Sequence, residues 1–192
     1  MGQPNSPLKN RILLFFAILF SGLMVTFWVG KDPAVLNAEQ EKMVAPVAAA
    51  DTDHLAWNEP LTDTAGNVTE MKKLYNDKPV YVIFWMPWSD ESMAQIDALM
   101  PVYERYHETV HIILVAFERS RQEALAIGAQ KKWPMPIYTA PMGMASDYGI
   151  TSVPTSVIIR KGGRIERLDR NVMTPKQISY GLEEAIAKSP VW

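Results

Sequence analysis

The 192-residue sequence predicts an α/β sandwich in which helices flank a central mixed β-sheet, with one transmembrane helix at the N-terminus. Residues 80–85 (VYVIFW) and 110–117 (VHIILVAF) predict buried strands, because both runs are apolar and rich in β-branched or aromatic residues. Residues 89–107 between them place apolar side chains at helical spacing, which predicts a β-α-β unit. Residues 155–160 and 164–168 flank a Lys-Gly-Gly turn and predict a hairpin.

Two further helices and one turn complete the predicted domain. Residues 120–132 are predicted to be helical. The last helix begins after Thr174, where a threonine N-cap, a proline and a glutamine form a capping box, and it is expected to run to about Lys188. Residues 62–67 (TDTAGN) form a turn cluster between short extended pieces. Pro101 is expected to kink the helix at 89–107.

An apolar run near the N-terminus predicts a membrane anchor. Residues 12–29 (ILLFFAILFSGLMVTFWV) carry no charge, and a membrane-spanning helix needs about 17–25 such residues. Lys9 and Arg11 precede the run, and positive flanks favour the cytoplasmic side. A cleaved signal peptide is the alternative, but the small residues at 48–50 lie too far beyond the run to form a convincing cleavage site.

The anchor divides the chain into four predicted parts. Residues 1–11 are expected to be cytoplasmic, 12–29 to cross the cytoplasmic membrane, 30–55 to form an Ala- and Pro-rich linker, and 56–192 to form the folded domain. A single crossing in this orientation places the domain on the periplasmic or external side of the membrane.

Composition narrows the function classes. The formal net charge is −2 and no basic face is evident, so a nucleic-acid partner is not predicted. The sequence contains no cysteine, which excludes a disulfide, a lipidated cysteine and any thiol chemistry by its own side chains.

Two motifs of the domain resemble segments of thioredoxin-like proteins. Residues 80–92 end in FWMPWSDES, whereas family members have a buried strand that ends in tryptophan and a Trp-Cys-x-x-Cys motif that opens the next helix. Residues 148–155 (YGITSVPT) resemble the family's cis-proline loop, which implies that Pro154 is cis. The insertion at 120–138 and the anchor narrow the resemblance to the TlpA-type thiol-disulfide oxidoreductases, which reduce or assemble clients such as apocytochromes c. The resemblance implies a thioredoxin-like fold over about residues 55–190.

Serine stands at both positions where the resemblance implies active-site cysteines. Ser89 and Ser92 cannot form a thiolate or a disulfide, so the site is predicted to be redox-inactive and its residues to cap the helix. Gln95 replaces the glutamate that assists proton transfer in this group, Asp97 replaces a helix-kinking proline, and Ile83 replaces the buried acid of thioredoxin itself. Because these supporting residues differ as well, natural loss of the chemistry is favoured over engineered serines.

The resemblance also implies a groove that can bind a protein without a thiol. In active relatives an extended client chain pairs with the backbone beside the cis-proline. Trp88 is expected to be exposed beside the helix start, as a binding hot spot. The predicted groove is lined by Trp85, Trp88, Ser89, Val153, Pro154 and Thr155.

The favoured hypothesis is a non-enzymatic module that binds or helps to assemble a client protein, and three alternatives stay open. The tryptophans and the proline could be retained for the fold alone. The chain could fill the family's thiol-disulfide oxidoreductase role in cytochrome c maturation or envelope protein redox, with its cysteines lost or substituted. It could also be a structural membrane component that uses another face, such as helix 120–132.

No metal or other cofactor is predicted. His107 and His111 match the H-E-x-x-H pattern of zinc proteases, but the segment is predicted to end a helix and begin a strand, so the two rings should diverge. Met135, Met142 and Met144 could offer thioether ligands to copper(I), although methionine more often fills gaps in a core.

Overall fold

A seven-stranded mixed β-sheet forms the centre of the computed structural model, which describes residues 55–190. The strands are β1 (Pro60–Thr62), β2 (Val68–Glu70), β3 (Val80–Phe84), β4 (His111–Phe117), β5 (Ile137–Ala140), β6 (Thr155–Ile159) and β7 (Ile165–Asp169). Their order across the sheet is β2-β1-β5-β4-β3-β6-β7. Strands β3, β4 and β5 are parallel, whereas β6 is antiparallel to both β3 and β7. Strands β3, β4, β5 and β7 therefore all end at the same edge of the sheet, which we call the site edge.

Helices cover both faces of this sheet. They are α1 (Met71–Asp77), α2 (Asp90–Tyr106), α3 (Arg121–Lys131), α4 (Gly143–Asp147) and α5 (Pro175–Ala187), with a 3-10 turn at Glu118–Ser120. Because successive side chains of a strand point to opposite faces, the sheet feeds two cores. Tyr81 and Ile83 pack in the core that includes α2, α3 and α5, whereas Val82 and Phe84 pack in the core that includes α1 and α4.

The predicted β-α-β unit, the hairpin and the helix caps are confirmed. Ser89 is the N-cap of α2, and Thr174 with Gln177 forms the capping box of α5. The extended pieces around the 62–67 turn are β1 and β2, which pair with each other. Helix α2 continues past Pro101 as one helix from Asp90 to Tyr106.

Three elements were not predicted: α1, α4 and β5. Strand β5 has only four residues and follows two prolines, so its sequence lacks a run long enough to signal a strand. It nevertheless pairs in parallel with β4, and α3 lies directly against it at Gly128. A Cβ atom at Gly128 would stand 2.1 Å from Ile137 Cδ1, so this glycine permits the close approach of helix and strand.

Among residues 55–190, none of the helices combines the length and apolar character that a membrane crossing requires. The predicted cytoplasmic segment 1–11, the predicted anchor 12–29 and the linker up to residue 54 lie outside the described residues, so these predictions stand untested.

Candidate functional site

The site edge brings together the two motifs that the sequence placed about 60 residues apart. Phe84 at the end of β3 pairs with Thr155 at the start of β6. The segment that leaves β3, residues 85–89, therefore adjoins the loop that enters β6, which contains Val153 and Pro154.

The loop before β6 has the conformation that the resemblance implied. The Val153–Pro154 peptide bond is cis. Pro154 and Thr155 are buried, and the Thr155 hydroxyl donates a hydrogen bond to the Ser152 carbonyl oxygen at 2.7 Å. Val153 is half-buried, and the preceding Thr151 and Ser152 are exposed, so the loop becomes accessible to solvent directly before the cis-proline.

The two serines are part of the helix cap. The Ser92 amide donates to Ser89 Oγ at 3.1 Å, and the Ser89 hydroxyl donates to a carboxylate oxygen of Glu91 at 3.3 Å. Ser92 Oγ accepts from the Met86 amide at 3.3 Å. Ser89 is 5% exposed and Ser92 is fully buried. Both hydroxyls therefore satisfy local backbone donors, and neither points into open solvent.

The two tryptophans of this segment have opposite environments. The Trp88 side chain is 67% exposed beside the start of α2, as predicted. Trp85 is fully buried and packs edge-on against Trp133, with ring centroids 5.3 Å apart. Because it continues the alternation of Tyr81 and Ile83, its ring enters the core. Trp85 therefore supports the site from beneath and, contrary to our expectation, offers no surface to a client.

Gln95 lies beneath the site and is fully buried. Its Oε1 accepts a hydrogen bond from the Met173 amide at 2.5 Å, which ties α2 to the loop between β7 and α5. Its Nε2 and the indole Nε1 of Trp85 are buried without a hydrogen-bond partner among residues 55–190. Gln95 therefore links two elements of the fold, and its side chain is neutral.

A buried polar cluster lies on the helix α2 side of the neighbouring strands. Arg167 and Asp169 form an ion pair along β7, and Tyr81 donates to Ser156 Oγ at 3.1 Å. Burial raises the pKa of the Tyr81 hydroxyl, so it stays neutral at physiological pH. Each charge in this cluster is paired, as buried charges must be, which indicates a role in joining the strands.

The candidate metal ligands do not converge. His111 Nε2 lies 2.7 Å from Asp77 Oδ2, whereas His107 lies just after the end of α2 and contacts the Tyr103 carbonyl oxygen at 3.0 Å. Met135 and Met144 are buried in different cores on opposite faces of the sheet. Within residues 55–190, histidine, aspartate and glutamate form no group of three that could hold a metal ion.

Two residues of the site edge were overlooked as surface candidates. Met142 follows β5 and is 55% exposed, and Val172 follows β7 and is 43% exposed. The predictions from the sequence included Met142 only as a possible copper(I) ligand and did not include Val172. No local pattern marks either residue, because their meeting at one edge depends on the strand order.

Comparison with known proteins identifies the domain. Residues 76–165 match the family described as Thioredoxin-like. The thioredoxin-like protein YneN of Bacillus subtilis (strain 168) is 25% identical over 109 residues, which cover 55% of this chain. The thiol-disulfide oxidoreductase ResA of Geobacillus thermodenitrificans is 24% identical over 112 residues, or 57% of this chain. The matches span 64% of the length of each of these two relatives.

Solved structures share the fold at lower identity. A putative thiol:disulfide interchange protein DsbE from Chlorobium tepidum superposes with a TM-score of 0.64 at 18% identity, over 72% of this chain and 99% of that one. The exposed lipoprotein thioredoxin of Streptococcus pneumoniae superposes with a TM-score of 0.59 at 21% identity. This match covers 67% of this chain and 99% of the pneumococcal chain. The chain therefore contains a thioredoxin-like domain that is similar in sequence to a thiol-disulfide oxidoreductase, and it has no cysteine, with Ser89 and Ser92 at the start of α2.

Proposed function

We propose that this domain binds an extended segment of a client protein at the site edge without thiol chemistry. The observation that carries the proposal is the exposure of Trp88, whose large aromatic surface stands in solvent directly before the capped start of α2. Tryptophan is enriched among the residues that dominate the binding energy of protein interfaces.

The backbone beside the cis-proline supports this mode of binding. Within residues 55–190, the amide and carbonyl of Val153 make no hydrogen bond. An extended segment can satisfy both groups by pairing with them as an added strand. Pairing of this kind requires no reactive side chain, so it is compatible with serines at 89 and 92.

Redox inactivity is the second part of the proposal. The sequence has no cysteine, and a serine hydroxyl neither ionises near neutral pH nor forms a disulfide. Each hydroxyl oxygen also accepts a hydrogen bond from a nearby backbone amide, which gives both serines a structural role.

The location of the domain is the third part. We propose that residues 12–29 anchor the chain in the cytoplasmic membrane and that the domain faces the periplasm or the cell exterior. The client would then be a protein of that compartment or of the same membrane.

Photocrosslinking in intact membranes tests the proposal. A benzoylphenylalanine in place of Trp88 is expected to trap a client, because this side chain is 67% exposed and the replacement keeps a large aromatic group at the position. The same probe in place of Tyr180, which is 44% exposed on α5, is the matched control. Ser89 is a poor probe position, because it is buried and caps α2. Equal trapping from both positions, or none from Trp88, would contradict the proposal.

A second candidate is the family's oxidoreductase role, in cytochrome c maturation or envelope protein redox. The name of the relative ResA, a thiol-disulfide oxidoreductase, favours it. The chain would then need a thiol from a partner. Alkylation of free thiols in intact membranes, with and without the chain, checks this because any thiol-bearing partner is then present: a changed set of free thiols in the absence of the chain would support the oxidoreductase role, and an unchanged set would support the binding module.

A further inference from the structure

Building on the proposed function, we infer that Tyr148 is a positioning residue for the cis-proline loop, residues 149–154. Its hydroxyl ties the start of this loop to the N-terminal segment of the domain, residues 55–59, and thereby holds Val153 where a client segment can pair with it. The inference rests on the proposed function, because it concerns how the same site is held ready for a client.

Tyr148 is buried and has partners on two sides. Its hydroxyl donates a hydrogen bond to the Trp57 carbonyl oxygen at 3.0 Å, and the two rings pack with centroids 5.8 Å apart. Burial raises the pKa of the Tyr148 hydroxyl, so the group stays protonated and able to donate. On the other side, the Tyr148 ring packs on Phe84 with centroids 5.6 Å apart.

Phe84 links this tyrosine to the far end of the loop. In the pairing of β3 with β6, Phe84 stands opposite Thr155, the residue that follows the cis-proline. The residue before the loop and the residue after it therefore both lie against Phe84. Because the loop is closed at its base in this way, a shift of Tyr148 displaces the start of the loop relative to its end.

The N-terminal segment is itself fixed to the rest of the domain. The Ala56 amide donates to the Gly163 carbonyl oxygen at 2.7 Å, in the hairpin between β6 and β7. The Met71 amide, at the start of α1, donates to the Glu59 carbonyl oxygen at 3.0 Å. The hydrogen bond from Tyr148 to Trp57 therefore ties the loop to a support that is held at two other points.

Few contacts hold the loop between its ends. Arg170 donates to the Gly149 carbonyl oxygen at 3.1 Å, and the Thr155 hydroxyl donates to the Ser152 carbonyl oxygen at 2.7 Å. Ser152 is exposed and Val153 is half-buried. A loop with so few contacts loses more conformational entropy on binding when one of its anchors is removed, and this loss weakens the binding of a client.

Tyr148→Phe in the full-length chain tests the inference, because it keeps the ring and removes only the hydroxyl. Hydrogen exchange measured by mass spectrometry is expected to become about fivefold faster for the amides of residues 149–153, since one hydrogen bond of ordinary strength is lost. Photocrosslinking from benzoylphenylalanine in place of Trp88, in intact membranes, is expected to trap about fivefold less client.

Two further tyrosines provide matched controls. Tyr75→Phe removes a hydroxyl that donates to the neighbouring carbonyl of the same segment, that of Ala56, at 3.5 Å. Tyr106→Phe removes a shorter hydrogen bond, to Glu183 at 2.6 Å. Neither residue adjoins the cis-proline loop in the chain, so both variants are expected to leave loop exchange and client capture unchanged. Urea denaturation compares the global stability of all three variants.

Several results would overturn the inference. These are unchanged loop exchange in Tyr148→Phe, faster exchange with undiminished capture, equal losses of capture in the two controls, or losses that simply follow global stability across the three variants. In each case, trapping by the chain that retains Tyr148 leaves the proposed function standing. If benzoylphenylalanine in place of Trp88 traps nothing even there, the proposed function fails and this inference fails with it.

Discussion

The two halves of the site edge differ in how completely their polar groups are satisfied. Ser89 and Ser92 are buried and accept hydrogen bonds from neighbouring amides, so this half belongs to the scaffold. Trp88 and Val153 form the other half, where a ring is exposed and a backbone segment has no partner among residues 55–190. The two serines therefore have structural partners, whereas Trp88 and Val153 are the positions at which we propose that a client binds.

The largest expected effect is a difference in the free energy of unfolding between variants of the two tryptophans, Trp85 and Trp88. Trp85→Ala is expected to lower the free energy of unfolding by about 3–5 kcal/mol, because it empties a fully buried site against Trp133. Trp88→Ala should change it by less than about 0.5 kcal/mol and yet abolish client capture. Urea denaturation of both variants checks this prediction. A large loss of stability in Trp88→Ala would mean that both halves of the site belong to the scaffold.

A smaller effect is expected at the serines. Ser92→Ala leaves the Met86 amide without its acceptor and should cost about 1–3 kcal/mol. Ser89→Ala removes the N-cap of α2 and should cost about 0.5–2 kcal/mol. Denaturant unfolding measures both changes, with Ser146→Ala at an exposed position of α4 as a control. If neither substitution destabilises the domain, the serines are not structural and a functional role for their hydroxyls becomes the better interpretation.

The buried amide beneath the site gives a pH-dependent prediction. In Gln95→Glu, burial should raise the pKa of the new carboxyl above about 4.3, the ordinary value for glutamate. Because the pKa of this carboxyl is higher in the folded state, the variant keeps its stability at pH values below the carboxyl's pKa in the unfolded chain. It loses stability as pH rises through the carboxyl's pKa in the folded state. Unfolding free energies at a series of pH values should therefore fall more steeply toward neutral pH in the variant than in wild type. Parallel curves would show that Gln95 is not held in an apolar environment.

The smallest effect is expected at Asp63, in the turn between β1 and β2. The Asn67 side chain, followed by backbone amides, lowers the pKa of the Asp63 carboxyl. A carboxyl whose pKa is lower in the folded state adds stability at pH values above its pKa in the unfolded chain. This contribution disappears as pH falls through its pKa in the folded state. Thermal unfolding should therefore show a small difference between wild type and Asp63→Asn at pH 6 that shrinks in acid. Client capture should be unchanged, and a loss of capture would extend the binding surface beyond the site edge.

The sequence predicted the parts of the site that depend on local chemistry. The spacing of apolar residues predicted β3, α2 and β4, and the capping residues predicted where α2 and α5 begin. The exposure of Trp88 was predicted from the resemblance. It did not predict β5, because four residues after two prolines carry too little pattern to compete with a loop. It also placed Trp85 in the groove, although the alternation with Tyr81 and Ile83 was visible and would have assigned it to the core.

By itself, the sequence determined that this domain has no thiol and that the first turn of α2 is capped by serine, because both depend on residue identity and near neighbours. Only the tertiary structure decided which surfaces meet. Met142, Trp88 and Val172 share an edge because β7 returns parallel to β3 and β5, and Met135 and Met144 separate because the sheet stands between them. The physical reason is that strand order is set by packing between distant segments, which no local pattern of residues encodes.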